Sequence, residues 1–294
     1  MRKPLLYMIP AACVAVVGCA SLALAADTAA TKDPLYQTTG DQERSYVFPG
    51  TEETIPYHIY VPTKWTKSAK LPMVVVLHGA GADEAMPLTR ADHLMEKVAE
   101  QHGYILVSPL GYRIHGAYNN QFKIVPQPWP ESKGPRPGPP PELGPRAPVP
   151  STPATAQERE RSEQDVINVM DLVAKEYNVD RSRIYLTGNS MGGAGTWYIG
   201  EKYADRFVAI APSAGPVSPE EYPYDRLKHV AVLVIHGDHD QVTSIDASRT
   251  MVAHAKEHGV DVTFLEVKGA EHYMGWSHVV PETFDFFDQH KKKN

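Results

Sequence analysis

Apolar residues recur at every second position through Ile55, Tyr57, Ile59 and Val61, which predicts a half-buried strand ended by Pro62. Met73-Val74-Val75-Val76-Leu77 is a continuous apolar run of the kind that a central parallel strand, covered on both faces, requires. The spacing of Leu88, Leu94, Met95 and Val98 predicts a helix over 88–101, closed by Gly103, and Tyr104–Val107 reads as the next strand. Val166, Met170, Val173 and Tyr177 fall on one stripe of a helix over 157–177. Beyond it the pattern predicts strand 183–187, helix 191–203, strand 208–211, strand 230–235, helix 245–258, strand 262–267 and a last helix over 278–290. Residues 27–44 are polar and read as a loose lead-in. Strands alternating with helices predict an α/β fold: a doubly wound, mostly parallel sheet with helices on both faces.

Two stretches break this rhythm. At the start, Arg2 and Lys3 precede an apolar run from Leu5 to Leu24, interrupted by Pro10, and Ala23-Leu24-Ala25 has the small-x-small form of a cleavage site. Residues 1–25 read as a signal peptide for export to the periplasm or beyond. A retained membrane anchor is the competing reading, and Val16-Val17-Gly18-Cys19 is a loose lipobox through which Cys19 would carry a lipid. Later, 12 prolines fall within residues 126–153. Each removes an amide donor, so the run cannot form a helix or a sheet ladder. Because the same alternation of elements resumes beyond it, we read one domain over 26–294 with a Pro-rich insertion at 126–153, bordering a pocket.

Composition narrows the function. With 42% hydrophobic and 22% charged residues the chain is globular in class, which excludes collagen-like and disordered chains. The net charge of −6 becomes −8 once Arg2 and Lys3 are lost, so nucleic acid is not an expected partner, and no stable membrane span is expected in the mature chain. Both cysteines, Cys13 and Cys19, lie inside the signal, so the mature chain has no disulfide, zinc-thiolate or cysteine-nucleophile chemistry. Oligomeric state is not legible.

The sharpest motif is Gly188-Asn189-Ser190-Met191-Gly192, followed by Gly193, placed between a strand and a helix. Such a turn strains the backbone at Ser190 and needs small neighbours. A serine hydroxyl needs a base to take its proton. His272, in Lys268-Gly269-Ala270-Glu271-His272, follows the last strand and is the expected base; His278 and His290 read as surface residues of the last helix. Two carboxylates, Asp238 and Asp240, follow strand 230–235. Asp240, a few residues past the strand end, is the favoured acid, and Asp238 fits a turn role. His236 and His239 beside them invite a metal reading, but no open three-ligand set recurs nearby, and no metal is expected. The oxyanion of a tetrahedral intermediate needs backbone donors. Met191 follows the nucleophile, and the loop His78-Gly79-Ala80-Gly81 offers the Ala80 amide.

The chain resembles the α/β-hydrolase superfamily, and within it the exported esterase and prolyl-oligopeptidase-like group that includes polyhydroxybutyrate depolymerases and feruloyl esterases. The resemblance is carried by Leu71–Gly81, Asp180–Trp197, Phe207–Gly215, Val234–Val242 and Gly269–His272. It implies a Ser190–His272–Asp240 triad, an oxyanion hole at Ala80 and Met191, and acyl transfer to water with no cofactor. Asn189 and the long insertion depart from the group's pattern. The resemblance implies an exported serine esterase acting on small or polymeric esters, with aryl esters or polyesters among them. A serine peptidase and a non-catalytic binding module on the same fold are the alternatives. Tyr273 and Trp276, which flank His272, and Tyr112, in the loop after strand 104–107, are candidate substrate contacts; Tyr118 and Trp129 lie nearby in sequence.

Overall fold

Eight strands form one sheet in the computed structural model, which describes residues 34–135 and 152–292. They are β1 (Gly40–Val47), β2 (Thr54–Val61), β3 (Met73–Leu77), β4 (Ile105–Pro109), β5 (Ile184–Asn189), β6 (Ala209–Ser213), β7 (Ala231–Gly237) and β8 (Val262–Val267). Their order across the sheet is β1-β2-β4-β3-β5-β6-β7-β8. β2 runs antiparallel to both β1 and β4, and every other neighbour is parallel. The chain divides into two units, Met1–Thr38 and Thr39–Asn294. The signal sequence read at 1–25, with Cys13 and Cys19, lies outside the described residues, as do residues 136–151 of the Pro-rich run.

Period-two geometry sends alternate side chains of each strand to opposite faces. On one face Val75, Leu77, Leu186, Ile210 and Val232 meet three helices: α2 (Ala156–Glu176), α3 (Met191–Lys202) and α4 (Ile245–Glu257). On the other, Val74, Val76, Tyr185, Ala211 and Leu233 meet α1 (Met86–His102), α5 (Gly275–His278) and α6 (Val280–Asp288). All five side chains of β3 are buried, which is why that segment lacks any polar alternation. The helix ends follow local chemistry. Thr155 Oγ1 accepts the Glu158 amide while Glu158 accepts the Thr155 amide, a reciprocal cap that starts α2. Gly103 at φ 75° closes α1. No helix among the described residues is long and apolar enough to cross a membrane.

The structure departs from the sequence reading at three places. Part of the polar lead-in is β1, whose inward positions are Gln42 and Arg44 and whose Asp41 and Glu43 face solvent. Arg44 reaches Glu176 at the end of α2 with two 3.2 Å hydrogen bonds. A buried ion pair thus takes the place of the apolar alternation that marks a strand. Within α1, Arg90–His93 leave helical geometry. The last helix is two, α5 and α6, broken at Val279.

The connectivity leaves one place on the sheet edge open. β4 lies on one side of β3 and β5 on the other, so the chain leaves β3 and β5 in diverging directions. The crevice beyond their carboxyl ends is the switch point where ligands of open α/β sheets bind. Leu77 and Gly188 are register partners there, which brings the loop His78–Gly81 beside the turn at Ser190.

Candidate active site

Ser190 sits between β5 and α3 with φ 60° and ψ −117°, a left-handed backbone that a residue with a Cβ adopts only under constraint. Two hydrogen bonds supply the constraint. The Ser190 amide donates to Ser213 O (2.9 Å), and its own carbonyl accepts the Ala194 amide (2.9 Å). The flanking glycines permit the approach: a Cβ on Gly188 would lie 2.6 Å from Gly192 O, and one on Gly192 would overlap Leu77 O and lie 2.7 Å from His78 O. The first turn of α3 therefore presses directly on the end of β3, and only glycine fits.

His272 reaches this serine from the loop after β8. Its Nε2 is 2.9 Å from Ser190 Oγ and its Nδ1 is 2.7 Å from Asp240 Oδ2. His272 and Asp240 are both buried. The two loops that carry them are clamped together. Asp238 Oδ1 accepts the Gly269 amide (2.6 Å), the His239 amide donates to Ala270 O (3.1 Å), and Gly237 lies so close to Ala270 that a Cβ there would be 2.7 Å from its carbonyl carbon. Asp238 thus ties loop to loop, and Asp240 faces the histidine.

Asp240 is held by an unusual number of donors. Oδ1 accepts the Val242 and Thr243 amides at 2.7 and 2.9 Å; Oδ2 faces His272, Thr243 Oγ1 (3.0 Å) and His236 Nε2 (3.1 Å). Burial opposes a charge here, but the hydrogen bonds from His236, His272 and the Thr243 amide outweigh it and hold the carboxyl far below the usual carboxylate range. The second imidazole, His236 at the end of β7, was not picked out by sequence as a partner of the acid. Near the end of an apolar strand, it carried no sequence signal for that partner.

A small cavity of about 20 Å³ opens at Ser190, room for about one water. Its walls include Gly79, Met86, Arg90, Asn189, Tyr273 and Trp276. Tyr273 and Trp276, the candidate substrate contacts, thus line this cavity, and Arg90 is an addition that its position in a helix did not reveal. Trp276 is buried, and its indole N–H has no partner among the described residues. Ala80 occupies the second position of a turn closed by the Ala82 amide on Gly79 O (3.1 Å), and Met191 is the first residue of α3, where helix amides lack intrahelical partners. Gly79 is the residue of that loop against Ser190: a Cβ there would be 3.6 Å from Ser190 Cβ.

Tyr112 is a correction. It is 1% exposed, its ring packs on Phe48 at 5.0 Å, and its hydroxyl donates to Glu53 (2.6 Å). Asp165, buried in α2, accepts the Gly111 and Tyr112 amides and turns this loop inward, away from the cavity. Tyr118 is buried too, donating to His78 O (3.1 Å) behind the oxyanion loop.

A wider groove of about 380 Å³ lies beside the Asp240 and His272 loops, lined by Gln127, Trp129, Lys133, His239, Gln241 and Glu271. The Trp129 indole donates to Gly134 O (2.7 Å) and lies under the Lys133 ammonium (5.1 Å). The start of the Pro-rich run is thus one wall of this groove. Among the described residues, Asp41, His93 and Glu96 bring potential metal-ligand atoms within 4.8 Å of one another. Asp41 is paired with His58 and His93 with Glu96, so two carboxylate–imidazole pairs account for the cluster.

Comparison with known proteins bears on the fold. The model of the prolyl oligopeptidase family matches residues 154–227, which include the turn at Ser190. A bifunctional acetylxylan esterase/xylanase of Neocallimastix patriciarum is 24% identical over 189 residues, 63% of this chain. The chain spans about a fifth of that relative, 21% of its length. Among solved structures, a thermostable esterase is 23% identical with a TM-score of 0.59, over 86% of this chain and 63% of that one. The CE1 ferulic acid esterase of Anaeromyces mucronatus, solved with ferulic acid, is 18% identical with a TM-score of 0.57, over 87% of this chain and 95% of that one. With its switch point and strand order, the chain has the α/β-hydrolase fold.

Proposed function

We propose that the protein is an exported serine hydrolase of carboxylic esters, working through an acyl-enzyme on Ser190. The observation that carries this is the continuous line from Ser190 Oγ to His272 Nε2 (2.9 Å) and from His272 Nδ1 to Asp240 (2.7 Å). In the proposed reaction His272 takes the serine proton as Oγ attacks the ester carbonyl. The Ala80 and Met191 amides receive the oxyanion. His272 then protonates the departing alcohol, and water repeats the sequence on the acyl-enzyme while Asp240 keeps the imidazole in the working tautomer. No cofactor enters these steps.

The size of the two spaces favours a division of the substrate. A cavity of about 20 Å³ at Ser190 favours a short acyl group, because a feruloyl-sized one needs a far larger movement of Arg90, Met86 or Tyr273. The groove along Trp129 is where the alcohol part of a larger or polymeric ester would lie. The names of the acetylxylan and ferulic acid esterases point in the same direction. A peptidase is the second reading, favoured by the match of residues 154–227 to the prolyl oligopeptidase family. Export by cleavage after Ala25 is part of the proposal, with lipidation at Cys19 as its alternative; the mass of the mature N-terminus separates them.

The test is hydrolysis of p-nitrophenyl acetate and of a prolyl-p-nitroanilide, together with labelling by a fluorophosphonate. We expect acetate hydrolysis and labelling, both lost in Ser190→Ala with the fold intact and kcat down about 10⁴-fold or more. Wild-type turnover in that variant would overturn the reading.

A further inference from the structure

We infer that His236 is a positioning residue of this site: a second imidazole that donates to the Asp240 oxygen facing His272 and thereby sets how that carboxylate holds the base. The inference rests on the proposed role of Ser190, His272 and Asp240.

His236 is the sixth residue of β7, after five apolar ones, and is wholly buried. A leucine or isoleucine would suit that position by burial alone, and a buried imidazole is costly unless both nitrogens find partners. Both do. Nε2 lies 3.1 Å from Asp240 Oδ2, and Nδ1 lies 2.7 Å from Ser248 Oγ, in the first turn of α4. A carboxylate oxygen only accepts, so Nε2 carries the proton and Nδ1 accepts the Ser248 hydroxyl. Ser248 thus sets the tautomer of His236, as Asp240 sets that of His272.

Two imidazoles then converge on one carboxylate oxygen from β7 and from the loop after β8. Oδ1 is already fixed by the Val242 and Thr243 amides, so His236 removes the remaining rotational freedom of Oδ2. It also withdraws charge from Oδ2, so Asp240 holds the His272 proton less tightly than a lone buried carboxylate would. The groups facing His236 are Asp240, the hydroxyls of Ser248 and Thr243, and across the β7–β8 pair Glu266, itself bound to Arg249.

The test compares His236→Leu, His236→Gln and Ser248→Ala with wild type on p-nitrophenyl acetate. Leucine fills the space without a donor, and we expect kcat to fall about ten- to a hundredfold, the worth of one hydrogen bond to a charged group, with KM little changed. The acid limb of the kcat/KM–pH profile should move to higher pH, because an unshared Asp240 charge favours the protonated base. Glutamine offers an amide N–H near the position of Nε2 and should restore most of kcat. Ser248→Ala should move the profile the same way by less. A purely structural His236 would shift the melting temperature and leave the pH profile in place. Should the leucine variant fail to fold, the other two decide: an unchanged profile and kcat in Ser248→Ala, or no rescue by glutamine, overturns the inference. Fluorophosphonate labelling of the wild type separates the two levels. An unlabelled Ser190 overturns the proposed function, whereas a labelled Ser190 with indifferent His236 variants overturns only this inference.

Discussion

Replacing Asp240 by asparagine removes one charge and leaves the shape, and the hydrogen bonds say which way the new amide must turn. Oδ1 accepts two backbone N–H groups, from Val242 and Thr243, and an NH₂ placed there would face two donors. The asparagine oxygen therefore stays on that side, and its NH₂ takes the place of Oδ2, facing His272 Nδ1, His236 Nε2 and Thr243 Oγ1. An amide donor toward Nδ1 forces His272 to carry its proton on Nε2, the nitrogen aimed at Ser190 Oγ. A base already protonated there cannot accept the serine proton. The expected loss is about 10⁴-fold in kcat, equivalent to about 5.5 kcal/mol of transition-state stabilisation. The fold should survive, since the backbone donors keep their acceptor, no volume changes, and His236 can carry its proton on Nδ1 once the Ser248 hydroxyl turns to accept it. Stopped-flow or plate kinetics on p-nitrophenyl acetate, with circular dichroism melts of both proteins, measures this. A folded Asp240→Asn enzyme within tenfold of wild type would refute the reasoning, and a collapse in Asp238→Asn alone would show that the acid is Asp238.

Other expectations follow from single contacts. Gly192→Ala places a methyl into the carbonyls of Leu77 and His78, so kcat should fall by orders of magnitude even where the variant folds; wild-type kinetics would contradict the elbow geometry. Burial raises the carboxyl of Asp165 to about 6, against hydrogen bonds from Tyr46 and the Tyr112 and Gly111 amides that favour its charge. An acid whose native pKa is raised weakens the fold above that pKa and ceases to do so as pH falls. Asp165→Asn should therefore gain stability relative to wild type above about pH 6 and lose that advantage toward pH 4, by about 3 kcal/mol in the limit; urea titrations showing a pH-independent difference would refute it. Replacing residues 131–152 with a short Gly/Ser linker should leave the melting temperature and acetate hydrolysis nearly unchanged while raising KM for bulky esters. Unchanged KM on every substrate would remove the groove from the substrate path.

Three strands that lead into the site, β3, β5 and β7, were readable because they are buried throughout, and the turns after them and after the partly exposed β8 each carry small or polar residue types. β1 was unreadable for the opposite reason. Its inward residues, Gln42 and Arg44, are polar: Arg44 donates to Gln42 and to Glu176, which is far away in sequence. Tyr112 shows a second limit. Sequence places it on a loop at the catalytic edge of the sheet, but a long-range carboxylate, Asp165, decides which way that loop turns. His236 shows a third: an apolar strand ending in histidine gives no sign of whether that ring faces a helix, solvent or the acid four residues on.

The loop that holds Asp240 and the Pro-rich run are not independent. In Pro126-Gln127-Pro128 only Gln127 keeps an amide hydrogen, and it donates to Val242 O (2.9 Å). Ser244 in turn donates to Val125 O (3.1 Å), and Val125 donates to Pro216 O (2.9 Å). Val242 and Thr243 are the residues whose amides and hydroxyl hold Asp240, and Ser244 follows them directly. The entry to the insertion is therefore laced to the backbone that fixes the acid, whereas Trp129 and Lys133, a few residues on, line only the groove. Where a truncation begins then decides what it damages. One starting at 131 removes Lys133 and Gly134, which clamp the Trp129 ring, and reports on substrate fit. One starting at 124 also frees the 242–244 loop and should lower kcat on the smallest ester as well. A kcat for acetate that is indifferent to both boundaries would mean that the amides of Val242 and Thr243 hold Asp240 without support from the strap.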